Sequence, residues 1–389
     1  MNRRQFLRSS LSGATLCALG TANLSFAAVP AGADYRRLLI LVELKGGNDG
    51  LNTLVPYADP AYYTVRPKLA IARDAVLPIT DRAGLHPALA PLMPLWNAHE
   101  LAVLQGVGYP APNLSHFRSI EIWDTASNSE TYLQDGWLTR TFAGAPTPAA
   151  FAADGIVIGT ADLGPLSGGG TRAIALANTD QFLRQARLAT PDGAAGNRAL
   201  AHILKVEADI VQAAGHLGGR RTFTTEFPTG GFGSAIRTAA QVIAAPAGVA
   251  VVRITLSGFD THTGQTATQA RLLGELAAGM VALKAALTEL GRWNDTLVLT
   301  YAEFGRRAKE NLSGGTDHGT ANVHFALGGR VRGGMYGEAP SLARLDGEGN
   351  LLHTLDFRCV YATVLERWWT VPSMPTLGGK FQPVAFVIV

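Results

Sequence analysis

The chain has 389 residues, 47% of them hydrophobic and 16% charged, with a formal net charge of +3. Arg3, Arg4 and Arg8 account for that whole excess, so the chain beyond them is neutral and a basic nucleic-acid-binding surface is excluded. Only Cys17 and Cys359 carry thiols, and the first lies in a segment expected to be removed, so no internal disulfide is available to the remainder.

The chain opens with Arg3-Arg4-Gln5-Phe6-Leu7-Arg8, a twin-arginine pattern, and continues into a modest apolar stretch from Leu11 to Leu24. Ser25-Phe26-Ala27 supplies the small residues that signal peptidase requires, which places cleavage after Ala27 and the mature protein in the periplasm or outside the cell. The apolar stretch is too short and too rich in Gly, Ser and Thr for a membrane span, which takes roughly 20 apolar residues. No transmembrane segment is expected in the mature chain. No linker divides the 28–389 region, so it is read as a single domain.

Leu38 to Leu44 is a near-continuous apolar run that stops at Gly46-Gly47-Asn48-Asp49-Gly50. A strand buried on both faces reads this way. Leu101 to Gly106, Ile156 to Gly159, Val249 to Leu256, Thr296 to Tyr301 and His324 to Gly329 repeat the signal. Between them, Ser115 to Thr125, Arg198 to Gly215, Gln265 to Leu290 and Leu355 to Trp369 are predicted helices. Gly291 is a C-cap candidate for the third. Strands alternating with helices predict a three-layer α/β/α sandwich with a mostly parallel sheet. In such sheets ligands sit beyond the carboxyl ends of the strands.

Polar motifs stand at those ends. Asp49 is a candidate metal ligand, although Asn-Asp-Gly is also an ordinary turn sequence. Ser115 stands at a helix start, where orphan N–H groups favour an anion; it is either a nucleophile or a plain cap. His116 beside it is a base or ligand candidate, but adjacent helical residues diverge in direction. Asp260 and His262 lie in an extended Asp-Thr-His segment whose alternation puts both on one face. A carboxylate with an imidazole suits Zn²⁺, Mn²⁺ or Fe, whereas carboxylates alone favour Mg²⁺ or Ca²⁺. Glu303 ends the Thr296–Tyr301 run, and either Arg306 or Arg307 can clamp an oxyanion, unless Glu and Arg merely pair at a corner. Asp317-His318 sits in a Gly-rich loop, where Asp317 either ligates or holds the tautomer of His318. The remaining histidines (His86, His99, His202, His216, His324 and His353) read as surface or core residues, with His86 the nearest to an exception.

The blocks from Glu43 to Asn52, Asn113 to Phe117, Gly258 to His262, Glu303 to Arg306, Gly315 to Thr320 and Asp356 to Tyr361 resemble the bacterial family called domain of unknown function 1501. That family is similar in fold to the alkaline phosphatase and sulfatase superfamily, so the resemblance implies an alkaline-phosphatase-like sandwich with a divalent metal at the strand ends. It implies that Asp49 and Ser115 share one metal, that Asp260 with His262 holds another, and that His318 supplies the final loop ligand. Asp260 and His262 are more closely spaced than the superfamily pattern, and Glu303-Phe304 stands where an Asp-His pair is usual. The activity so implied is an exported hydrolase of phosphate or sulfate esters, acting on an anionic ester or polymer. Ser115 attacks, Arg306 clamps an oxygen, and Asp49, Asp260, His262, Glu303, Asp317 and His318 supply metal ligands. The alternative is a secreted binding or assembly protein that retains a remnant metal or anion site.

Overall fold

Apolar runs bounded by glycine become the central strands of one large sheet. The structure is a computed structural model that describes residues 32–176 and 221–389. The predicted Arg198–Gly215 helix and the leader lie outside the described residues. The strands of the sheet, in chain order, are β1 (Leu38–Lys45), β2 (Leu101–Gly108), β3 (Ala153–Ile158), β4 (Ala173–Leu176), β5 (Val249–Ser257) and β6 (Thr296–Tyr301). A short ribbon follows, made of β7 (Gly305–Arg306) and β8 (His318–Gly319). Then β9 (Asn322–Leu327), β10 (Gly334–Tyr336) and β11 (Leu355–Asp356) return to the sheet.

The spatial order is β10-β2-β9-β6-β1-β5-β3-β4, with β11 also pairing β2. β1 lies in the interior, parallel to β5 and β6, with Leu41 opposite Arg253 on one side and Leu299 on the other. β9 runs antiparallel to both of its neighbours, so the sheet is mostly parallel. The expected sandwich is present, because alternate residues of the strands feed two separate cores. Leu38, Ile40, Val42 and Leu44 pack under helices α5 (Gly230–Ile243) and α6 (Gln265–Glu289). Leu39 and Leu41 pack on the other face under α3 (His116–Thr125), α4 (Trp137–Gly144) and α7 (Phe357–Ala362). Helices covering both faces explain why the strands read as unbroken apolar runs. The two short helices α1 (Gly50–Thr53) and α2 (Pro60–Val65) follow β1.

The described residues belong to one compact unit, Gly32–Val389. Among them no helix is long and apolar enough to cross a membrane. α7 runs into a π-helical segment, Thr363–Trp368, which completes the predicted late helix. The carboxyl ends of β1, β5 and β6 are adjacent, so the loops that follow them converge on one place.

Candidate metal centre

The loops after β1, β5 and β6 meet through backbone rather than side-chain bulk. Gly46 and Gly47 take φ of +113° and +79°, in the left-handed region that favours glycine. A Cβ on Gly46 would overlap the amide nitrogen of Asp260, and one on Gly47 would overlap the Phe304 ring. This tight approach turns two backbone N–H groups toward β6. Gly46 N–H donates to Glu303 Oε1 at 2.9 Å, and Gly47 N–H donates to Glu303 Oε2 at 3.2 Å.

Glu303 is thereby fixed, with only 2% of its surface exposed. Its Oε1 also meets Nδ1 of His116 at 2.8 Å. His116 is the first residue of α3, and that helix is tied down by Ser119, whose hydroxyl donates to the Glu303 carbonyl. The hydrogen bond that His116 donates to Glu303 raises it above an ordinary imidazole pKa, with burial opposing it.

Two further imidazoles are held in the same manner. His262 Nδ1 meets Asp317 Oδ1 at 3.1 Å, and Asn311 Nδ2 donates to that same oxygen at 3.3 Å and to the His262 carbonyl at 2.9 Å. Burial raises Asp317, but its bonds from Asn311 and His262 win and hold its carboxyl below the usual value. His318 Nδ1 lies 2.8 Å from the carbonyl oxygen of Leu114. A carbonyl only accepts, so His318 carries its proton on Nδ1 and a lone pair on Nε2. Burial lowers His318, in keeping with a neutral ring.

All three Nε2 atoms face Asp260. His262 Nε2 and His318 Nε2 lie 3.1 and 3.2 Å from Asp260 Oδ1, and His116 Nε2 lies 3.4 Å from Oδ2. The two imidazole nitrogens of His262 and His318 are themselves 3.0 Å apart. Burial pushes the Asp260 carboxyl up, but the hydrogen bond and charge of Arg306, with His318 and His116, bring it down to about 2. Asp260 is therefore an ionised acceptor.

This donor set decides what fits. With each Nδ1 proton given to an acceptor, three imidazole lone pairs and a carboxylate converge. His262 Nε2, His318 Nε2 and Asp260 Oδ1 are in mutual contact and, as acceptors, repel one another unless a cation lies between them. The ligand atoms of His116, Asp260 and His318 all lie within 4.8 Å of one another, the spacing a single ion requires. The outer partners Glu303, Asp317 and the Leu114 carbonyl are the kind that orient metal-bound histidines. The side chains of Asp260 and His262 are 46% and 42% exposed, so the centre opens to solvent.

Four expected site residues have other employment. Asp49 is buried at α1, where Arg66 donates to Oδ2 at 2.6 Å and to Oδ1 at 3.1 Å. Leu51 N–H and Gln265 Nε2 complete its shell. The structure thus corrects Asp49 from metal ligand to half of a buried ion pair, because every lone pair is met by a donor. Arg306 is likewise corrected from oxyanion clamp to scaffold. It is 1% exposed and donates to the carbonyls of Gly47 at 2.8 Å, Thr316 at 2.9 Å and Phe259 at 2.9 Å, to the Gly46 carbonyl, and to Asp260 at 2.8 Å. Glu303 and Asp317 lie one bond outside the cluster, as holders of His116 and His262. His262, Asp260 and His318 are brought together as expected.

Ser115 is exposed at the N-cap of α3, and its hydroxyl makes no capping bond. His116 is the residue that sequence reasoning underweighted. Its ring need not share the direction of Ser115, because it is aimed by Glu303 from a distant part of the chain.

Replacing Glu303 by Gln should test the outer partners. The amide keeps the shape but cannot accept at both oxygens, so His116 loses its aim. Zinc affinity should fall about 10–100-fold in competition titrations. An unchanged affinity would remove Glu303 from the metal centre.

No match was found among curated proteins. Similar solved structures include the zinc-complexed C-terminal periplasmic domain of EcEptC from Escherichia coli, at 11% identity and a TM-score of 0.38, covering 75% of this chain and 72% of that one. The PsFucS1 sulfatase from Pseudoalteromonas sp. aligns at 11% identity and a TM-score of 0.38, covering 88% and 68%. Alkaline phosphatase from the Antarctic bacterium TAB5 aligns at 12% identity and a TM-score of 0.32, covering 77% and 94%. The family described as "Protein of unknown function (DUF1501)" matches residues 82–374, which include His116, Asp260, His262, Glu303 and His318, and the chain belongs to that family.

Proposed function

We propose that this is an exported metal-dependent hydrolase of phosphate or sulfate esters, built around one ion held by His116, Asp260, His262 and His318. The observation that supports this reading is the convergence of three imidazole lone pairs on one ionised carboxylate. Three nitrogens and one oxygen suit Zn²⁺ or Mn²⁺ better than Mg²⁺ or Ca²⁺, which prefer all-oxygen shells. When bound, such an ion supplies a Lewis acid for an ester oxygen.

The chain's own residues do the rest. Glu303 and Asp317 keep the protons of His116 and His262 on Nδ1, so both rings present lone pairs. Arg306 pins the Asp260 loop to the loops after β1 and β7 through backbone carbonyls. Ser115 precedes the ligand His116 in the chain, at a helix end where N–H groups favour an anion, and is the proposed nucleophile.

A second reading has its own support. Asp49 and Arg306, both expected in the chemistry, are used up in scaffolding. A binding or assembly protein that keeps an ion to hold its loops would look the same at these two residues.

The experiment is a screen of zinc- and manganese-loaded protein against phosphate and sulfate monoesters, with Ser115→Ala in parallel. The hydrolase reading expects metal-dependent turnover that Ser115→Ala abolishes with metal content unchanged, since an exposed cap is worth only about 1 kcal/mol. Turnover that survives the change would leave Ser115 as a helix start and nothing more. A metal-loaded protein with no turnover on any ester would favour the binding reading.

A further inference from the structure

The Asp356–Tyr361 block has no part in the metal centre. Asp356 caps α7, and its carboxylate takes Arg358 Nε at 2.9 Å and Nη2 at 2.6 Å. The fork so held lies against the Phe381 ring, 4.5 Å from its centroid. It leaves Nη1 with only the Ser127 carbonyl at 3.5 Å, longer than a good hydrogen bond. Arg358 is one wall of a cavity of about 350 Å³.

Arg140, on α4, is another wall. Its guanidinium is held by carbonyls alone. Nε and Nη2 donate to Thr376 at 3.2 and 2.8 Å, Nη2 also donates to Thr125, and Nη1 donates to Asp135. These bonds use every N–H of the fork except one on Nη1. Carbonyl dipoles orient a guanidinium but do not neutralise it. The carboxylate of Asp135, whose charge Arg140 feels, is turned to the Gly169 N–H at 3.3 Å.

The rest of the lining selects the anion. Among the described residues no Asp or Glu faces the cavity. Asp356 meets the Arg358 charge, so the walls carry one uncompensated positive charge. That matches a monoanion better than a phosphate dianion. Asn128 and Thr131 add donors: Asn128 Oδ1 is taken by the N–H groups of Glu130 and Thr131, which leaves its amide nitrogen unused. Leu133, Leu377 and Phe381 make the remaining side apolar. The volume is at the small end of ligand sites, which run from about 300 to 1,000 Å³.

We propose that this cavity binds a small organic carboxylate, whose carboxyl group meets Arg140 and Arg358 and whose apolar body packs on Leu133, Leu377 and Phe381. Two guanidinium groups supply charge-assisted bonds to such a group. The cavity stands at the opposite end of α3 from His116, about 15 Å away along the helix, so this ligand is distinct from whatever the metal centre takes.

The test is calorimetric titration of benzoate and of isovalerate into the full chain, with benzyl alcohol and inorganic phosphate as controls. It is run on wild type, Arg140→Gln, Arg140→Lys and Thr131→Trp, each zinc-loaded and chelator-treated, with melting temperature measured on all. Wild type should bind at least one carboxylate saturably at millimolar concentration or below, with or without metal. Benzyl alcohol and phosphate should bind about 10-fold more weakly or not at all. Arg140→Gln should weaken the carboxylate about 10–100-fold, and Arg140→Lys less. Thr131→Trp, at an exposed lining position, should block binding by bulk. No saturable carboxylate binding to wild type overturns the proposal. So does benzyl alcohol or phosphate bound as tightly as the carboxylate, because the cavity would then not select a carboxylate. Binding that needs the metal places the carboxylate on the ion and also overturns it, as does affinity unchanged by both Arg140→Gln and Thr131→Trp. Thr131→Trp leaves the guanidinium and its carbonyls in place, so it decides the matter should Arg140→Gln not fold.

Discussion

Replacing Arg66 by Met should destabilise the protein by about 3–5 kcal/mol, the usual cost of removing one partner from a buried ion pair. Arg66 is fully buried, and so is Asp49, at 0% and 1% side-chain exposure, so solvent screening does not soften the loss. The guanidinium does more than neutralise Asp49. Its Nε donates to the Ala308 carbonyl at 2.7 Å, and a terminal nitrogen donates to the Arg307 carbonyl at 2.8 Å. Arg66→Met therefore strands a carboxylate and two carbonyls at once. Urea unfolding at neutral pH measures the effect. The compensating change Asp49→Leu in the same chain should recover much of the loss, because a buried pair exchanged for apolar groups is often neutral. A single-variant loss below about 1 kcal/mol would contradict the buried-pair account.

This pair also shows what the sequence could not reveal. Asp49 reads as a ligand because it follows a buried strand within a Gly-rich turn. Its actual partner, Arg66, lies 17 residues on, after α2, and nothing in local spacing joins the two. The same limit applies to Arg306, whose carbonyl partners come from the loops after β1, β5 and β7. The strands were legible because burial on both faces leaves a one-dimensional trace, an apolar run ended by glycine. β1, β5 and β6 were each found within a residue or two of their bounds. The α4 helix and the edge strands β10 and β11 were not, because short elements carry too little periodicity. Asp260, His262 and His318 were legible for a related reason: polar residues at the ends of buried strands have few structural uses. His116 was obscured by its neighbour. A helix start offers an evident role for Ser115, and only the Glu303 carboxylate, 187 residues away in sequence, shows that the histidine is the residue turned inward.

Wild-type protein should hold about one zinc or manganese ion per chain, and His262→Ala or His318→Ala should lose it. The argument is electrostatic. Without a cation, His262 Nε2 and His318 Nε2 face each other at 3.0 Å, and both face an oxygen of Asp260. His318 cannot relieve this by moving its proton to Nε2 without giving up its bond to the Leu114 carbonyl. His262 is tied in the same way by Asp317. Metal binding removes a repulsion that folding creates, so the ion should stabilise the fold as well as occupy it. At 100 times the dissociation constant, binding to the folded state alone adds about 2.7 kcal/mol. Chelator-treated wild type should accordingly melt lower than reloaded protein, and the two His→Ala variants should melt alike with and without metal. Elemental analysis after reloading is the first readout and thermal melting the second. Wild type that stays empty after exposure to Zn²⁺ and Mn²⁺ would rule out the metal centre. The three imidazoles would then need another cation between them, and a proton shared by His262 and His318 is the one their 3.0 Å separation allows.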